Sequence, residues 1–257
     1  MSTTHTTLLI NKRLRPLVLL VLCLFWMPLA VRADEDSIRL QAFANIWHPT
    51  TWASNKQTTL LETKLKRQLS QWQGQITKLG ADTRLMEHIF YKVQRQYLRQ
   101  YNPSAMPADL LTHRQYNCVT AVGMYAYIYE QLGITYQVYE APMHVYLKIQ
   151  LDNGQWALLE TTSPQGFVTN QETIADLEML MRTNAGQIDA SLGFSYKIDL
   201  QKLAALQLYN QAIVESQAQN YWQAIHYINQ ARELYDSVRM QILNFEIRES
   251  LSQLSLN

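Results

Sequence analysis

Apolar residues recur at three- and four-residue intervals through two stretches in the first half of the chain, 57–79 and 83–100, as in Leu85, Ile89, Val93 and Tyr97. Both predict helices. Gly80 stops the first, and Asp82 is placed to cap the second. Their basic residues, Lys64, Lys66, Arg67, Arg95 and Arg99, read as a solvated face. Residues 101–116, broken by Pro103 and Pro107, predict a loop or short helix. Asn117 then opens a helix predicted over 118–132, which Gly133 closes, with Val122, Tyr125, Tyr129 and Leu132 sharing a stripe with Cys118. The periodicity changes after that. Residues 134–139 predict a strand, and 144–151 alternate strictly, with Val145, Leu147, Ile149 and Leu151 on one side and His144, Tyr146, Lys148 and Gln150 on the other. Asn153-Gly154 marks a hairpin, and 156–161 return as the next strand. Residues 166–200 are weakly patterned, with one helix expected near 174–182, and the remainder is helical. Helices packed on antiparallel strands make an α+β fold.

The hairpin bears on chemistry because its loop length decides which side chains face each other. A two-residue loop at Asn153-Gly154 sets Leu147 opposite Glu160 and turns His144 away. A three-residue loop, Asp152-Asn153-Gly154 with Gly154 left-handed, sets Tyr146 opposite Glu160 and places His144 diagonal to it on the same face. It also keeps Ala157 and Leu159 with Leu147 and Ile149 on the core side, and is therefore the expected register.

The first 33 residues have the makeup of an export signal. Lys12, Arg13 and Arg15 precede an apolar run over 17–29, and Val31-Arg32-Ala33 offers a cleavage site after Ala33. The run is short for a membrane span, although an uncleaved anchor is the alternative. Cleavage would remove four of the 22 basic residues and no acid, leaving 18 against 21 acidic ones, a charge of about −3. That balance argues against a nucleic-acid partner or a basic membrane patch. Cleavage would also leave one of the two cysteines, Cys118, which excludes an internal disulfide and a cysteine-rich zinc site. A lone thiol in an oxidising compartment is a liability unless buried or used.

Thiol catalysis requires a cysteine whose thiolate is favoured, a base within hydrogen-bond reach, and an acceptor on the base's far nitrogen. Cys118 at a helix start, His144 at a strand start and Glu160 on the next strand supply these in order. Candidate oxyanion donors are the Cys118 backbone N–H with Gln115 or Asn117. Tyr146 and Trp156 are candidates to line a groove, Thr161 and Thr162 to support the turn after Glu160. His48, His88, His113 and His226 have no ligand spacing, and solvated or capping roles are expected for them.

Together, Tyr116-Asn117-Cys118, the helix ending Gln131-Leu132-Gly133-Ile134, Pro142-Met143-His144-Val145-Tyr146-Leu147, and Leu159-Glu160-Thr161-Thr162 before Pro164 resemble a bacterial transglutaminase-like cysteine domain, over roughly residues 85–170. The resemblance implies a papain-like core and a peptidase, amidase or acyl transferase working through a thioester, with neither cofactor nor metal required. Ala212, Ala224 and Ala231, with Tyr221 and Leu208, are similar to a tetratricopeptide helix pair. One such repeat cannot bury its own face and must pack on the core or on the helix expected at 239–253. The expected organisation is a signal peptide at 1–33, a transglutaminase-like domain with N-terminal helices at 34–200, and repeat-like helices at 201–257. The protein is expected in the periplasm or outside the cell, hydrolysing amide bonds of an envelope protein or peptide. The alternative is a catalytically inactive envelope scaffold that binds a protein partner through its C-terminal helices.

Overall fold

The computed structural model describes residues 56–142, 144–183 and 196–254. The segment read as an export signal lies outside the described residues. Helix α1 (Lys56–Leu79) turns Leu65, Gln68 and Trp72 inward. In α2 (Thr83–Tyr97), the Asp82 carboxylate accepts from the Arg84 and Leu85 N–H groups, as expected of a cap. The buried stripe of α2 is Leu85, Met86, Ile89, Phe90, Val93 and Tyr97.

Helix α2 stops three residues short of its expected end. Beyond Tyr97 the chain extends as β1 (Gln100–Tyr101), which pairs in parallel with β2 (Gln115–Tyr116). The competing partner is the Arg114 carbonyl, presented by a left-handed backbone (φ 57°), which accepts from both Arg99 and Gln100. Between the two strands lies α3 (Pro107–Thr112).

Helix α4 (Cys118–Leu132) has the expected bounds, with Asn117 capping its start and Gly133 (φ 66°) closing it. The sequence stripe proved too narrow, since nearly every residue from Val119 to Tyr129 is buried. Such a helix belongs at the centre of a domain. It packs on strands β3 (Tyr136–Ala141) and β4 (His144–Gln150) and also contacts α1, α3 and the first of the C-terminal helices. Strand β3 starts two residues later than the pattern suggested, because the Ile134 N–H still completes the helix end by donating to Tyr129.

The strands form one five-stranded sheet of order β6-β5-β4-β3-β7, antiparallel throughout, with β5 at Trp156–Leu159, β6 at Phe167–Val168 and β7 at Tyr196–Ile198. One face joins α4 in the main core through Val145, Leu147, Ile149, Ala157 and Leu159. Helix α5 (Gln171–Thr183) covers the other, where Ile174 packs with Ala141, Tyr146 and Leu158. Thus 166–200 holds two short strands that its weak pattern did not reveal, and a helix longer than expected. Helices α6 (Leu200–Gln217), α7 (Tyr221–Leu234) and α8 (Val238–Leu254) complete the chain. Ala212, Ala224 and Ala231 are all fully buried, and Leu203, Leu206, Ile228, Met240 and Ile247 share one core with Phe90 and Leu147. The inner face of the C-terminal helices is therefore buried against the sheet-bearing core.

Candidate active site

Cys118 is the first residue of α4 and is partly exposed. Its position follows from Asn117, whose buried side chain accepts from the Thr120 N–H at 2.8 Å while its amide donates to the Pro103 and Ala105 carbonyls. The Thr120 hydroxyl accepts from the Asn117 N–H in return, completing a capping box. Asn117 thus tethers the helix tip to the loop before α3. With every polar atom of its side chain engaged, it is not free to serve as an oxyanion donor, contrary to the sequence expectation. Gln115 is also held: its carbonyl accepts from Asn102 at 2.9 Å. The Cys118 and Val119 N–H groups, in the first turn, have no intrahelical acceptor by virtue of helix geometry.

The other two groups come from the sheet. The β4–β5 ladder pairs Leu147 with Leu159 and Ile149 with Ala157. Its loop is Asp152-Asn153-Gly154, with Gly154 left-handed (φ 78°) and the Gly154 N–H donating to Leu151. This is the expected three-residue turn, and continuing the ladder one step sets Tyr146 against Glu160. His144, diagonal to it, brings Nε2 to 2.6 Å from Glu160 Oε2. Cys118 lies close enough to the imidazole to help raise its pKa. The structure brings all three candidate residues together.

The electrostatics follow from this chain. Burial opposes a charge on His144, but Cys118 and the hydrogen bond to Glu160 outweigh it and push its pKa up to about 10. Burial likewise opposes the Glu160 charge, yet His144 and Thr162 hold the carboxyl below its ordinary value. Thr162 donates its backbone N–H at 3.0 Å and its hydroxyl to Glu160 Oε1, so both carboxylate oxygens are engaged.

Several contributors were not visible in the sequence. Gln94 of α2 donates to the Thr161 and Ser163 carbonyls, at 3.2 and 2.9 Å, and holds the loop after Glu160 against the core. In the same loop Gly166 closes onto Glu160, whose N–H donates to the Gly166 carbonyl at 2.8 Å. A Cβ at Gly166 would stand 1.8 Å from the Glu160 carbonyl oxygen. Tyr101 and Tyr116 meet edge to face at 5.8 Å. Burial raises the pKa of both phenols. Cys118 adds to the rise at Tyr101 and Glu160 to the rise at Tyr116, which marks the pair as neighbours of the site. Only a remote strand pairing assembles this wall.

Two expected wall residues do other work. Tyr146 is fully buried beneath α5, stacked on Tyr139 and donating its hydroxyl to Glu178. Trp156 is half-buried at the start of β5, with its carbonyl accepting from Gln171. Thr161 is buried at the turn, its carbonyl accepting from Gln94 while its hydroxyl has no hydrogen-bond partner among the described residues. His88 and His226 are exposed, and His113 pairs with Asp109 at the surface. His48 lies outside the described residues. No family model, curated protein or solved structure matches this chain.

Proposed function

We propose that the protein is a cysteine enzyme of the transglutaminase-like, papain-like kind that acts on amide bonds through a thioester on Cys118. One observation carries this reading: His144 is hydrogen-bonded to Glu160 at 2.6 Å and has Cys118 as a neighbour near enough to shift its pKa. A thiol, an imidazole and a carboxylate in a row are what nucleophilic acyl chemistry needs, and a purely structural cysteine has no use for the second and third.

In the proposed cycle His144 takes the thiol proton, and the sulfur attacks the substrate carbonyl carbon. The developing oxyanion meets the N–H groups of the first turn of α4, where the helix dipole favours negative charge. The C–N bond breaks as the imidazolium gives its proton to the departing amine, which leaves an acyl-thioester on Cys118. Water or a second amine then attacks, losing its proton to His144 and expelling the sulfur. Water makes the protein a peptidase or amidase, and an amine makes it an acyl transferase. Hydrolysis is the favoured outcome, because no feature among the described residues marks an amine site. Glu160 keeps the imidazole in the tautomer and orientation both steps require. In this reading the basic, apolar start of the chain directs it to the periplasm or beyond, and the substrate is a protein or peptide of the envelope.

The test is to incubate the purified protein with a peptide library and a thiol-directed electrophile. Cleaved or transamidated peptides that vanish in Cys118→Ala support the reading, and equal product from that variant overturns it. A second reading is favoured by the exposed Trp222 and Phe245 on α7 and α8. In it the C-terminal, repeat-like helices bind a protein partner and the triad is idle. A protein silent towards every peptide, yet retained by an envelope protein through Trp222, would favour that scaffold.

A further inference from the structure

Arg239 stands near the start of α8, far along the chain from the thiol site, yet its guanidinium reaches the turn that delivers His144. Nη2 donates to the Pro142 carbonyl at 2.5 Å and to the Ala141 carbonyl at 3.3 Å, and it lies 3.2 Å from Glu140 Oε1. Glu140 is the penultimate residue of β3 and only 3% exposed. Ala141 and His144 face each other across the turn, so both carbonyls gripped by Arg239 belong to the three residues that precede the imidazole. Burial raises the Glu140 carboxyl while Arg239, Tyr235 and Lys202 pull it down, so the carboxylate is stranded without those groups. Tyr235 ends α7, and Lys202 of α6 lies over its ring at 5.2 Å. The three groups that meet Glu140 here all come from the C-terminal helices or their junctions.

A buried ion pair is a poor stabiliser, since apolar residues of like volume fill the same space at lower desolvation cost. What this one supplies is geometry. A guanidinium that reaches two successive carbonyls and a carboxylate anchors the end of β3, which no apolar substitute would do. His144 must be held beside two groups at once, and the turn before it is its only lead-in from β3.

We propose that Arg239 is a positioning residue. Through the Ala141 and Pro142 carbonyls and Glu140 it anchors the end of β3 that leads to His144, so a C-terminal helix bears on how the imidazole sits between Cys118 and Glu160. Its catalytic consequence rests on the thiol-chemistry reading above. The geometric claim does not.

The experiment uses the full chain with Arg239→Met, Arg239→Lys and, as a control, Arg248→Met. Arg248 is exposed on the same helix and bonds to Asn244 within it. The His144 imidazole is titrated by NMR, and the iodoacetamide rate at Cys118 is followed over the same pH range. Arg239→Met should keep its helical circular dichroism while the His144 midpoint falls towards its ordinary 6.5. The Cys118 rate should fall about 10- to 100-fold, the scale on which a misplaced group costs chemistry. Arg239→Lys should recover part of both, and Arg248→Met should change neither. An unmoved midpoint and rate in Arg239→Met, or equal changes in Arg248→Met, overturns the proposal. Should Arg239→Met fail to fold, Arg239→Lys decides by the same two readouts, and wild-type values in it overturn the proposal. A His144 midpoint that moves with Arg239 while His144→Ala leaves the Cys118 rate untouched upholds the positioning role and removes the catalytic reading instead.

Discussion

Cys118, His144 and Glu160 are separated by 26 and 16 residues, yet His144 and Glu160 each depend on a neighbour for their charge state. Glu160→Gln removes the carboxylate that sustains the imidazolium, and should lower the His144 midpoint and slow peptide turnover at least ~10-fold, checked by NMR titration and steady-state kinetics. Stability should respond to pH as well. His144 has its pKa raised, so its share of stability is whole below 6.5 and is lost as pH climbs through about 10. Glu160 has its pKa lowered, so its share is whole above 4.5 and is lost as pH falls below that. The pair's contribution is therefore largest between those two ordinary values, 4.5 and 6.5. Urea unfolding of wild type and His144→Ala across the pH range should show their difference peaking there, and a difference flat with pH would contradict the pairing. The three candidate residues could be read from the sequence because residue type and local element agree. Gln94, Tyr101 and Arg239 could not, because each acts from a remote segment through a contact that no local pattern records.

At the scale of the element, two glycines separate a purely structural role from one beside the candidate site. Gly133 is left-handed at the end of α4 with open space where a Cβ would go. Gly133→Ala should cost about 1–2 kcal/mol from backbone strain alone, read by urea denaturation, and leave the Cys118 alkylation rate unchanged. Gly166→Ala drives a Cβ into the Glu160 carbonyl, so the loop must move, and both stability and alkylation rate should fall. Asn117→Ala, which loses the cap and two links to the preceding loop, should destabilise by about 1–3 kcal/mol, again by denaturation. The helix over 118–132 and the three-residue hairpin were legible because cap residues and period-two alternation are local. The early end of α2 was not. There a parallel pairing to Gln115 and Tyr116, fifteen residues on, outweighed an unbroken helical pattern. The short strands β6 and β7 escaped for the same reason, having too few residues to show a period.

Across the whole molecule, the C-terminal helices share one buried core with the sheet-bearing part and reach the His144 turn through Arg239. The small residues Ala212, Ala224 and Ala231 were legible as close-packing positions, whereas the surface they pack against was not, since an amphipathic helix does not name its partner. Enlarging Ala224 to Leu should cost about 1–3 kcal/mol by overpacking, measured as a lower urea midpoint, and unfolding should remain a single transition because the core is continuous. The central claim, however, concerns three side chains acting as one. It is tested most directly by the rate at which iodoacetamide alkylates Cys118 at neutral pH in wild type, His144→Ala and Glu160→Gln, with all three shown to be folded. The account expects wild type to react fastest, His144→Ala to be slower on the order of 100-fold, and Glu160→Gln to fall between them. Equal rates in all three proteins would contradict it.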